Sequence, residues 1–73
     1  MAETQIETIS INGQAQPYQP QTLSELLAVS GVDVAQPGIA VALNARVIRR
    51  AEWATTALQP GDRVELVQAR AGG

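Results

Sequence analysis

The sequence contains no cysteine and no histidine. Without them the common nucleophile–base pairs and the usual transition-metal ligand sets cannot be assembled, and no disulfide can staple the chain. These absences argue against an autonomous enzyme. Lysine is missing as well, so the basic residues are five arginines against seven acids, for a net charge of −2. A nucleic-acid binder needs a basic face, which this balance does not supply. The chain also offers no lysine as an acceptor for isopeptide bonds. No apolar run approaches the roughly 20 residues of a membrane span. The opening Met1-Ala2-Glu3-Thr4-Gln5 lacks the form of a secretory signal. A soluble, cytoplasmic protein is expected. Its 73 residues make one domain with a marginal core.

What is present reads as alternating strands around one short helix. Ile9 and Ile11 point one way and Thr8 and Ser10 the other, the pattern of a half-buried strand. Asn12-Gly13 signals a hairpin, because a type I′ turn needs positive φ at both central positions. The return strand, Gln14 to Tyr18, contains Pro17, which cannot donate to a ladder, so an edge position is expected. Thr22-Leu23-Ser24-Glu25 has the form of a capping box. Leu23, Leu26 and Leu27 form one apolar stripe, and Gly31 is placed to end the helix in a left-handed turn. Val32 would then pack back on Leu26 or Leu27. A helix of this length, Leu23 to Ser30, needs a sheet to hold it.

Beyond the Pro37-Gly38 break, Ile39 to Leu43 alternates again, with Ile39, Val41 and Leu43 on one face and Ala40 and Ala42 on the other. Asn44-Ala45 makes a turn into a short strand, Arg46 to Ile48. Arg49 to Ala54 reads as an irregular helical turn presenting Trp53, expected as a core or lid residue rather than a binding one. Arg46, Arg49 and Arg50 are expected to form a solvated face. Pro60-Gly61-Asp62 leads into a last strand, Arg63 to Gln68, with Val64 and Leu66 inward and Glu65 outward. Val67 breaks the alternation and is left facing solvent or a partner. With Ala40 and Ala42 it is a candidate docking surface. The order β-β-α-β-β-β describes an α+β domain with one helix on one face of a mixed sheet of four or five strands. The first and last strands are expected to pair in its middle.

Residues 1–68 thus read as the domain and 69–73 as a tail. Ala69-Arg70-Ala71-Gly72-Gly73 holds nothing that could anchor a core. Two residues without side chains can enter a narrow slot, and the α-carboxylate of Gly73 is the chemical group at the tip. Extended, the tail reaches at most roughly 17 Å, enough to enter a deep active site of another protein.

Taken in order, these pieces resemble the ThiS family of thiamine-biosynthesis sulfur carriers, small ubiquitin-like β-grasp proteins. The resemblance covers nearly the whole chain from Ile6. It rests on Ile11-Asn12-Gly13, Thr22 to Leu27, Val41-Ala42-Leu43-Asn44, the arginine-then-tryptophan stretch Arg49 to Trp53, Pro60-Gly61-Asp62-Arg63-Val64-Glu65, and Gly72-Gly73. Each piece is common, but the ordered set is specific.

The resemblance implies a carrier rather than a catalyst. An E1-like adenylyltransferase (ThiF type) would activate Gly73 with ATP. Persulfide-derived sulfur would convert the adenylate to a thiocarboxylate, and thiazole synthase (ThiG type) would receive the sulfur. Arg70, Ala71 and Gly72 would carry Gly73 into those active sites. No bound cofactor or metal is implied, and the carrier is expected to be monomeric in isolation. Three alternatives stand beside it. The carrier of molybdopterin synthase shares the fold and the terminal glycines, but usually shows aromatic and proline residues before the tail, where this chain has Leu66-Val67-Gln68-Ala69-Arg70. A ubiquitin-like modifier and an inert β-grasp interaction module are the others.

Overall fold

The computed structural model describes residues 7–68. Strand β1 (Thr8–Ile11) turns at Asn12-Gly13 into β2 (Gln14–Pro17). Helix α1 (Leu23–Val29) follows, then the hairpin of β3 (Ile39–Leu43) and β4 (Arg46–Ile48). A 3-10 helix (Arg50–Thr55) leads to the last strand, β5 (Arg63–Gln68). The sheet has five strands in the order β2-β1-β5-β3-β4. The last strand is therefore central, parallel to β1 and antiparallel to β3.

Local chemistry explains each boundary. Both residues of the first turn have positive φ, Asn12 at 50° and Gly13 at 84°. This is the condition that lets a two-residue turn follow the twist of its strands. Pro17 falls on β2, an outer strand, where its missing N–H breaks no ladder. At Thr22 the capping box is complete: Glu25 N–H donates to Thr22 Oγ1, and Thr22 N–H donates to Glu25 Oε1. The helix ends one residue before the expected Ser30, because Ser30 serves as its C-cap. Gly31 then takes φ 85°, its N–H donates to Ala28 O, and Val32 N–H donates to Leu27 O. These are the two bonds of a Schellman ending.

Two expectations need correction. The return strand is bounded at Pro17 rather than Tyr18, although Tyr18 N–H still donates to Glu7 O while its hydroxyl donates to Leu58 O. Arg50 is not merely a solvated charge. Its guanidinium donates to the carbonyls of Val34 and Gln36 and lies 4.7 Å from the Trp53 ring centroid. A planar fork on a long stem can do all three at once, tying the loop after α1 to the 3-10 helix.

The core lies between α1 and the inner face of the sheet. Leu23, Leu26 and Leu27 from the helix meet Ile9, Val41 and Val64 from the three inner strands. Trp53 closes one side, 3% exposed, with its indole N–H donating to Ile48 O at 2.9 Å. It is a core residue, as expected. Leu58, which no sequence pattern marked, is also buried, held where Leu58 N–H donates to Gln21 O.

Candidate functional site

The site is built around the outgoing end of β5. On a strand, the N–H and C=O of one residue point to the same side, and successive residues alternate. Val64 faces β1, where its carbonyl accepts from Asn12 N–H at 2.9 Å. Arg63 faces β3, where its carbonyl accepts from Asn44 N–H at 2.7 Å. Two asparagines extend these ladders beyond their strands. The Asn44 carboxamide oxygen accepts from Arg63 N–H at 2.9 Å, and the Asn12 carboxamide oxygen accepts from Leu66 N–H at 2.8 Å. Both asparagines are the first residue of a tight turn, with φ near 50°. The central strand is thus gripped at its entry by one hairpin turn and near its exit by the other.

Asp62 secures the entry. It is the one buried charged residue among those described, and each carboxylate oxygen has a donor: Asn44 Nδ2 at 3.0 Å and Gln59 N–H at 2.7 Å. A buried carboxylate without such donors would cost several kcal/mol. With them it fixes the turn that aims β5. The sequence reading placed Pro60-Gly61-Asp62 in a turn but assigned no such role to Asp62, Asn44 or Asn12.

Among the described residues, the outer face of the sheet carries no helix. Directly paired residues share a face, so Val67 stands beside Ala40, and Glu65 beside Ala42, which in turn stands beside Val47. The expected docking residues Val67, Ala40 and Ala42 are therefore brought together on one face. Val67 is 65% exposed, Ala40 exposed and Ala42 half-buried. Val47, 72% exposed, belongs to the same patch and was missed. Its signal lay in the register of the second hairpin, which sets Val47 opposite Ala42. Arg70, Ala71, Gly72 and Gly73 lie outside the described residues. Among the described residues no group of three or more side chains could hold a metal ion, and no helix is long and apolar enough to cross a membrane.

Comparison with known proteins gives a consistent result. The family model described as the ThiS family matches residues 6–73. The curated Sulfur carrier protein ThiS of Escherichia coli is 42% identical over 53 residues, spanning 73% of this chain and 77% of that protein. The crystal structure of a thiamine biosynthesis protein (ThiS) from Geobacter metallireducens superposes with a TM-score of 0.73 at 28% identity, covering 90% of this chain and 99% of the other. A solution structure of a thiamine biosynthesis protein from the same organism gives 0.71 at 28% identity, covering 90% and 87%. The fold of these neighbours is the ubiquitin-like β-grasp, and the five-stranded sheet with one helix described above is the same architecture.

Proposed function

The chain belongs to the ThiS family, and from that premise we propose that it is a sulfur carrier in thiamine biosynthesis, loaded at the carboxylate of Gly73. The observation that carries the reading is the family match itself, which runs through both terminal glycines to residue 73. A carboxylate is a poor electrophile. In the proposed cycle a Gly73 oxygen attacks the α-phosphate of ATP in an E1-like adenylyltransferase, and pyrophosphate leaves. The resulting mixed anhydride has AMP as a leaving group: the terminal sulfur of a cysteine persulfide displaces it to give an acyl disulfide. A thiol then cleaves that S–S bond, leaving the thiocarboxylate on Gly73 and a disulfide on the thiol. Thiazole synthase then takes the sulfur. ATP is a substrate of the partner enzyme in this scheme, and the carrier needs no base or bound cofactor of its own. The cycle runs in the cytoplasm.

The division of labour matches the molecule. A gripped central strand gives the tail a rigid root, and Arg70, Ala71 and Gly72 span the distance to the partner's reacting centre. Val67, Ala40, Ala42 and Val47 meet the partner's surface around the slot. Specificity then comes from the docking face and chemistry from the partner.

The test is ATP–pyrophosphate exchange by the cognate adenylyltransferase. One residue added after Gly73 moves the carboxylate by about 3.5 Å, where a misplacement of about 1 Å already costs on the order of 10²-fold. The extended chain is expected to melt normally and to support no exchange. Gly72→Val keeps the carboxylate but adds a branched side chain, and is expected to lose exchange through the slot alone. Wild-type exchange by the extended chain would overturn the assignment of Gly73.

A further inference from the structure

The parallel ladder between β1 and β5 is short. Its register pairs Ser10 with Arg63 and Ile11 with Val64, and there β1 ends in the Asn12-Gly13 turn. Leu66 N–H points to the same side as Val64, toward a position where no strand continues. The Asn12 side chain fills that position, its carboxamide oxygen 2.8 Å from Leu66 N. The same residue's backbone N–H donates to Val64 O. Asn12 therefore grips β5 at two successive β1-facing residues, one through the main chain and one through the side chain. On the other side β3 pairs with β5 as far as Gln68. Without Asn12, the last two rungs of β5 would be held from one side only, and a strand so held can twist and fray.

We propose that Asn12 is a positioning residue for the sulfur-loading reaction: its carboxamide stands in for the missing strand beside Leu66 and fixes the direction in which the chain leaves β5. This deepens the carrier reading and rests on it. The hairpin turn alone does not require asparagine, since glycine takes positive φ more readily. What asparagine adds is the acceptor. A root that wavers must be ordered on each encounter, and that cost falls equally on bound carrier and transition state. It raises KM and leaves kcat in place.

Two substitutions separate the turn from the grip. Asn12→Gly keeps a residue suited to φ 50° but removes the acceptor, and Asn12→Asp restores an oxygen at the same reach. Both are assayed below their melting midpoints, so that only folded chain is compared. In the isolated protein, hydrogen exchange at the Leu66 amide is expected to speed up about fivefold in Asn12→Gly, with Val64 unchanged. In ATP–pyrophosphate exchange with the adenylyltransferase, KM for Asn12→Gly is expected to rise about fivefold at unchanged kcat, and Asn12→Asp is expected to return it to near the wild-type value. A wild-type KM in Asn12→Gly overturns the proposal and leaves the carrier reading standing. So does a raised KM that Asn12→Asp fails to rescue. Failure of the unsubstituted chain to support any exchange is a separate result, which overturns the carrier reading and the inference with it.

Discussion

Ala45 has φ 70°, in the left-handed region, with no polar side chain to compensate. Its counterpart in the first hairpin is Gly13, where the same backbone is free of strain. An L-residue here costs roughly 1–2 kcal/mol, whereas glycine adds roughly 0.4–1 kcal/mol of unfolded-state entropy that folding must overcome. The first effect is the larger, so Ala45→Gly is expected to stabilise the domain by about 0.5–1 kcal/mol. Thermal melts measure it, and an unchanged or lower midpoint would show that the turn relaxes its strain elsewhere. Both turns were legible in the sequence, one from Asn-Gly and the other from a polar residue between two alternating runs. The reach of their asparagines was not. Asn12 bonds a residue 54 positions away and Asn44 one 19 away, distances at which side-chain pattern carries no information before the strands are paired.

At the scale of elements, α1 shows what local signals can fix. Its cap, its stripe and its Gly31 ending could each be read from neighbouring residues, and each is present. Thr22→Ala removes the oxygen that accepts from Glu25 N–H and is expected to cost about 1 kcal/mol. For a domain of this size that lowers the melting midpoint by about 4–8 °C. No change in the midpoint would show that the cap contributes nothing in this context. The segment from Arg49 to Leu58 was legible only in outline. Its 3-10 helix was expected as an irregular turn over Arg49 to Ala54 and runs from Arg50 to Thr55. The two interactions that organise it, Arg50 on the carbonyls of Val34 and Gln36 and Leu58 against Gln21, join segments far apart in sequence. Neither has a period to betray it.

Across the described residues, helix and core occupy one side of the sheet and leave the other open. Val47→Asp places a charge in that open face without touching the core. The melting midpoint is expected to hold, as for surface changes within about ±0.5 kcal/mol. KM in adenylyltransferase exchange is expected to rise about tenfold, the scale of a central interface residue. An unchanged KM would remove Val47 from the proposed docking face. The sheet topology has one more consequence, in the order of synthesis. A central strand encoded last means that β1 and β3, made early, have no common neighbour until Arg63 to Gln68 has been translated. Contacts so distant along the chain close late and slowly. A nascent or prematurely terminated chain that lacks β5 is left with two unjoined hairpins and an exposed apolar helix, the kind of intermediate that aggregates or is degraded. The fold is therefore completed only when Arg63 to Gln68 is available to join the two hairpins.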